Sequence, residues 1–547
     1  MDQKKYYTSL VLGFIKKHFF CFSLILGLSV WSLWPIIKDP SRRTADPWDG
    51  VLMAWYLNQT IEKIPGNLNQ IFQGNIFYPY KNTMAYSDMH ILSAIVSYIP
   101  VKTLHEPIVA VSVSLLFGQV ATIFILYLWF YEITKSKTAS FLAAVGLGFS
   151  ATRMGFIVHL QMWNLEWFLL SSYLFYLFFT RKKNLFAYLS LIILGLQMWE
   201  SPLGVYFGLL MIFLISVFNI RYLKKNLKAL ILPFLLFLLI ILLPASAYVS
   251  VSKEFNYTRS IRDAAHFSTG VDEIIKGVIL KPIFAAFLLS LYFLRRGVKK
   301  INLNTWALTL SLSSLILTLG PVLKWAGKTV KIFGRVPVPL PYSILYYLVP
   351  GFNAFRTPAR WVWIFILGMS FIVAMGLAKF LRDKKVALGW KISVVILLFV
   401  LSLSDAKVKN YYVFQKVSEY PEVYKALRNN PPGVILELPV YGWASGEIAA
   451  IETHRMVYSL YSQKYMLGGF SGFNPPSWDR MISNSWNQFP SPEFDKKLIN
   501  TEVDYILVWK NLYSKEKLAD IQKWGKGFTI YEDEGYLLLD FSKDKID

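Results

Sequence analysis

Eleven largely apolar stretches, separated by connections that alternate in charge, constrain this chain more than any other feature of its sequence. They cover 18–37, 107–131, 138–157, 162–180, 184–199, 202–220, 229–250, 276–294, 305–323, 359–381 and 390–404. About 20 apolar residues are needed to cross roughly 30 Å of hydrocarbon, and a helix crosses it with every backbone group satisfied. The first stretch ends in Trp34-Pro35 without a small-residue cleavage site behind it, so it reads as an anchor rather than a removable leader. Composition agrees. Hydrophobic residues make up 55% of the 547, charged residues 17%, and the mean hydropathy is +0.41. A soluble domain carries about a quarter charged residues. Disorder, coiled coil and an ordinary cytosolic enzyme are excluded. The lone Cys21 leaves no disulfide framework and no thiolate metal site.

The basic residues orient the spans. Lys4, Lys5, Lys16 and Lys17 precede the first, Lys135 and Lys137 follow the second, and Arg181, Lys182 and Lys183 follow the fourth. Arg221, Lys224, Lys225 and Lys228 follow the sixth; Arg295, Arg296, Lys299 and Lys300 the eighth; Arg382, Lys384 and Lys385 the tenth. Every second connection is short and basic, so those connections are expected on the cytoplasmic side, with the N-terminus inside and the C-terminal region outside a cytoplasmic (inner) membrane. The net charge of +23 is therefore no sign of nucleic acid: residues 405–547 hold 17 Lys+Arg against 19 Asp+Glu, and the excess lies beside the apolar runs.

This predicts an α-helical polytopic membrane protein of about 11 spans in residues 1–404, with a long first external loop at 38–106. Residues 405–547 read as an extracytoplasmic α/β domain. Strands are expected at 434–438, 504–509, 527–531 and 535–541, and helices at 421–429, 446–458 and 514–524. Within the external loop, 51–63 has the pattern of an amphipathic helix lying at the interface.

Chemistry is expected on the external side. Asp46-Pro47-Trp48-Asp49-Gly50 opens the first loop, where Asp46 and Asp49 can act as general base or metal ligand on a lipid-anchored substrate; the structural alternative is a capped turn before the helix. Asp88 and His90, in Tyr86-Ser87-Asp88-Met89-His90, can bind a metal such as Mg²⁺ or Mn²⁺ or orient a phosphate, or Asp88 can simply cap the next helix. Arg153, His159, Gln161, Asn164 and Glu166 cluster around one external turn, with Glu200 at the end of another span. Ionisable groups there are functional or paired, and Arg153 with Glu166 is the structural pairing. Phe355-Arg356-Thr357-Pro358-Ala359-Arg360 precedes the tenth span. With Thr357 as cap and Pro358 at the first position, the helix start and its arginines form a phosphate site, or the arginines reach lipid headgroups. Tyr257, Arg259, Arg262 and His266 are weaker candidates of the same kind. No Walker loop, GxSxG elbow, HExxH helix or CxxC pair occurs.

Several segments then look familiar together: DPWDG, IFYPYKNTMAYSDMH, HLQMWNLEW, PYSILYYLVPGFNAFRTPARW, VILELPV and YSQKYMLGGFSGFNPPSW, in that order from about residue 44 to 480. They resemble a group of largely uncharacterised prokaryotic polytopic proteins, itself similar to the GT-C class of membrane glycosyltransferases. The resemblance implies a GT-C-like fold, a sugar donor on a polyprenyl-phosphate carrier, and a catalytic base or metal ligand at Asp46 or Asp49. Asp-Pro-Trp also looks like the first acidic motif of oligosaccharyltransferase catalytic subunits, but their WWDYG signature is missing from 405–547. The resulting expectation is a glycosyltransferase moving a sugar from a lipid-linked donor to a cell-envelope glycan, lipid or protein. Arg356, Arg360, His159, Glu166 and Arg259 would bind the phosphate or substrate. The alternative is a lipid or polysaccharide transporter or envelope assembly factor without catalysis.

Overall fold

The computed structural model describes residues 3–279, 282–295, 301–441, 446–478, 488–499 and 501–542. Of the residues used above, Arg296, Lys299 and Lys300 lie outside these, as does the end of the matched stretch beyond Trp478. Among the described residues, four helices are long and apolar enough to cross a membrane alone: Gly13–Ile37, Val109–Thr134, Leu227–Phe255 and Pro358–Arg382. Val271–Val278 and Ile283–Leu294, bent by 81°, make a fifth if the pair is one span. The other expected spans fall on shorter helices, among them Glu166–Arg181, Asn184–Glu200, Pro202–Phe218 and Leu388–Leu403. This is a membrane protein.

The chain divides into two compact units. One comprises Met1–Trp34, Leu115–Leu242 and Tyr257–Lys409; the other comprises Pro35–Ser114, Leu243–Asn256 and Asn410–Asp547.

In the first unit the helix Val362–Arg382 packs on Ile301–Thr318, Pro282–Arg295 and Lys137–Gly148. Glycine sets how closely two of these approach. A Cβ at Gly368 would sit 2.3 Å from Ser311 Oγ, and one at Gly376 2.3 Å from Ser290 Cβ. Small residues at such crossings let helix backbones meet where lipid supplies no hydrophobic drive. The expected span 138–157 breaks at Phe149, because the Ser150 side chain accepts from Arg153 N and starts a separate turn, Ala151–Met154. Arg153 is thereby turned into the interior, where it is fully buried.

The second unit holds a five-stranded sheet in the order Thr529–Glu532, Tyr536–Asp540, Tyr505–Trp509, Val434–Leu438, Tyr465–Met466. Val434–Leu438 is parallel to both its neighbours, and Tyr536–Asp540 is antiparallel to both of its own. Helices Glu422–Asn429, Gly446–Ser462 and Lys515–Gly525 lie where the sequence pattern predicts helix. The helix Asp49–Ile61 differs from its expected interfacial role. Every residue from Gly50 to Ile61 is buried, because helices Gly446–Ser462 and Ile91–Leu104 pack against it. Asn75 ties the following loop in place. Its Oδ1 accepts from Trp55 Nε1 (3.0 Å) and Gln59 Nε2 (2.8 Å), and its Nδ2 donates to Ser459 Oγ and the Lys464 carbonyl, both at 2.9 Å.

Candidate functional site

The acidic turn belongs to the second unit. Asp46 Oδ1 accepts from Gly50 N at 2.6 Å and from Trp48 N at 3.2 Å. The carboxylate thus closes the turn that starts the helix, and Asp49 occupies that helix's first turn. Gly50 is required by this closeness, since a Cβ there would meet Thr44 Oγ1 at 2.1 Å. Burial first, and then the charge of Asp49, raise the Asp46 carboxyl to about 7 against the opposing effect of the two N–H bonds. A carboxyl poised near neutrality is suited to take a proton from a hydroxyl. The turn is also gripped from the helix Gly446–Ser462. Thr453 Oγ1 donates to the Pro47 carbonyl at 3.2 Å, and His454 hydrogen-bonds the same oxygen while burial pushes its imidazole down to about 4.

Asp88 and His90 stand in the same unit. His90, fully buried and at φ +53°, takes the N-cap position of the helix Ile91–Leu104 without a side-chain cap bond. Asp88 lies close enough to Tyr56 for its charge to raise that phenol, together with burial, well above its ordinary value. Tyr56 also meets Ser471 Oγ at 2.7 Å. Gly472 presses on the neighbouring backbone, where a Cβ would stand 3.0 Å from the Tyr86 carbonyl oxygen. Sequence reasoning gave Ser471 and Gly472 no role; their signal was the glycine-rich GGFSGF stretch. Among the described residues, no group of three or more His, Cys, Asp or Glu is gathered to hold a metal ion.

The cationic candidates belong to the first unit, which brings most of them together. Arg360 and Arg356 both lie near enough to His159 that their charges, after burial, push its imidazole down to about 4. Arg356 stacks over the Phe267 ring at 4.6 Å. Arg259 is held by its backbone, its N–H donating to the Asn353 carbonyl (3.3 Å) and its carbonyl accepting from Tyr346 OH (2.5 Å). Arg259 also bonds the phenol of Tyr257, which feels Arg356 and Asp263 as well. Four expected phosphate ligands therefore surround the start of one long apolar helix. Thr357 does hold its N-cap position, with Pro358 first, but the side chain makes no cap bond.

Glu166 goes elsewhere. It is fully buried, accepts from Thr122 Oγ1 at 3.5 Å, and has Arg153 and Glu200 as its charged neighbours. Arg153 donates to Gln119 Oε1 (3.1 Å) and to the Trp163 carbonyl (2.7 Å), with its guanidinium over the Trp163 ring.

Among the described residues the helices of spanning length make this an integral membrane protein, and its likeness to solved structures is one of GT-C-like fold. No family model matches the chain, and no curated protein matches it in sequence. Among solved structures it is similar to the cryo-EM structure of arabinofuranosyltransferase AftD from Mycobacteria, with 10% identity, a TM-score of 0.52 and 96% of this chain covered. A mutant form of AftD gives 12% identity, a TM-score of 0.54 and 91% coverage. The chain spans 37–40% of those longer proteins. The likeness is one of fold, and it does not single out oligosaccharyltransferases.

Proposed function

We propose that this protein is a membrane glycosyltransferase that moves a sugar from a polyprenyl-phosphate carrier to an acceptor hydroxyl at the outer face of the cytoplasmic membrane. The observation that supports it most is the gathering of His159, Arg259, Arg356 and Arg360 at the start of an apolar helix, in a GT-C-like fold. In this reading the arginines bind the carrier phosphate, with guanidinium groups matched to its oxygens. Asp46 or Asp49 takes the proton of the acceptor hydroxyl, and the freed oxygen attacks the anomeric carbon. The bond from that carbon to the phosphate oxygen breaks, and its electron pair leaves on the carrier. Positive charge at the phosphate stabilises that departure, so no acid is required. Asp88 and His90 would supply two donors to an Mg²⁺ or Mn²⁺ ion, which commonly completes its shell with phosphate and water; no step here is routed through it. The acceptor would be a cell-envelope glycan, lipid or protein.

The test is transfer of radiolabelled sugar from a polyprenyl-phosphate donor in proteoliposomes. Asp46→Asn and Asp49→Asn address the base, and a double Arg356→Ala, Arg360→Ala variant addresses the phosphate. Loss of transfer in the arginine variant and in one aspartate variant is expected. Turnover indifferent to all of them would reject the assignment. Carrier binding without any transfer would move the protein to the transporter or assembly-factor class.

A further inference from the structure

The connection between the helices Ile301–Thr318 and Pro358–Arg382 folds into a pair of short hairpins, Lys324–Thr329 and Lys331–Pro337. The two are joined through Leu323, Val330 and Val338 by backbone bonds of 2.8–3.1 Å. The base is fixed to the protein: Lys324 Nζ donates to the His266 and Ser268 carbonyls, and Ala326 N donates to Asp272 Oδ1 at 2.7 Å. The far end is not built for water. Phe333 is 97% exposed, with Val336 at 61% and Ile332 at 47%; Trp325, between the two anchored residues of the base, is 53% exposed. Phe333 also sits at φ +48°, in the left-handed region where a solvated turn ordinarily carries Gly, Asn or Asp.

Charge separates a lipid surface from a protein groove as the occupant. Lys328, Lys331 and Arg335 are exposed within five residues of Phe333, and from Leu319 to Phe355 there is no acidic residue at all. The acidic groups near the base from another element are Asp272, engaged by Ala326 N and by Lys276 at 3.9 Å, and Glu273, which accepts from Gly270 N at 2.7 Å. Aromatic and aliphatic side chains between exposed cations are what an interfacial segment on anionic lipid presents. The segment is also held close to a bilayer, since an apolar helix leads into it and one of spanning length leads out.

We infer that the paired hairpins 323–338 form a rigid bilayer-surface anchor. Phe333, Ile332 and Val336 enter the boundary between headgroups and acyl chains, and Lys328, Lys331 and Arg335 bind anionic headgroups. This rests on the membrane reading and is independent of transferase activity.

The experiment uses the full chain in lipid nanodiscs, with Cys21 replaced by Ala and an environment-sensitive fluorophore on a Phe333→Cys variant. A Val336→Cys variant, which retains Phe333, repeats the measurement. Expected are blue-shifted emission and strong quenching by lipids carrying a nitroxide near the headgroup. Quenching should be deeper in anionic than in zwitterionic discs, and charge reversal at Lys328, Lys331 and Arg335 should abolish that difference. Water-like emission at both positions in both lipids would overturn the anchor. So would an apolar environment that no lipid quencher reaches, since that would mean a covering protein.

Discussion

Replacing Asp46 by Asn isolates the cost of keeping an acid in this turn. The amide retains an Oδ1 that can accept from Gly50 N and Trp48 N, so the turn's bonds survive while the charge goes. The carboxyl is raised from 3.8 to about 7, with burial the leading cause. A group whose pKa is higher folded than unfolded contributes stability that is complete below the unfolded value and lost as pH rises through the folded one. The full difference is worth about 4 kcal/mol well above pH 7, and partial exposure of the group brings this to roughly 2–4 kcal/mol. Asp46→Asn should therefore raise the thermal unfolding midpoint of the detergent-solubilised protein at pH 8–9, and leave it nearly unchanged at pH 4. At the same time sugar transfer should fall by about 100-fold or more, the size of a lost general base. With Asp46 as the proposed base, transfer by the unaltered protein should rise with pH through about 7; Asp49→Asn should move that limb to lower pH by removing the neighbouring charge. An Asp46→Asn protein no more stable than the parent at pH 8–9 would refute the argument that burial strains this carboxyl.

Three other perturbations follow from the same geometry. Arg356→Ala with Arg360→Ala should raise the carrier KM by about 10-fold or more by removing charge-assisted bonds to phosphate, and a pH titration followed by NMR should show His159 moving back up from about 4. Thr453→Val deletes the hydroxyl held 3.2 Å from the Pro47 carbonyl; it should cost about 1 kcal/mol in denaturant melts and lower kcat while leaving the carrier KM in place. Arg455→Met strips the guanidinium from Glu452 (2.7 Å) and Glu437 (3.4 Å), all three fully or nearly buried. It should destabilise by about 3–5 kcal/mol at pH 8. Burial already raises both carboxyls, Glu452 to about 7, so the loss should shrink as pH falls below that value and Glu452 becomes neutral.

What the sequence made legible was local, and what it concealed came from contacts between distant segments. Pairing Arg356 with Arg360 follows from two arginines beside an apolar run, but only tertiary packing brings His159 from another pair of helices to meet them. The hydrophobic spacing over 51–63 fits an interfacial helix, and nothing near it announces that Gly446–Ser462 covers the remaining face. For Glu166 the sequence offered two readings, a substrate ligand and a structural partner of Arg153; Arg153 and Glu200 are its charged neighbours, and the contact from Thr122 is the part that local sequence did not show. The acidic turn joins both cases. Its aspartates were visible in five consecutive residues, yet the carbonyl between them is held by a hydroxyl 406 positions away. Because burial is the main reason Asp46 ionises near neutrality, residues of the C-terminal region that enclose the turn help to set the acidity of a group encoded at the other end of the chain. Substitutions in Gly446–Ser462 should therefore act on the pH dependence of the turn, whereas substitutions around Phe267 and Tyr346 should act on the arginine cluster. A pH profile and a carrier KM consequently report on separate parts of the protein, and a variant that moved both would mean the two sets of residues are coupled.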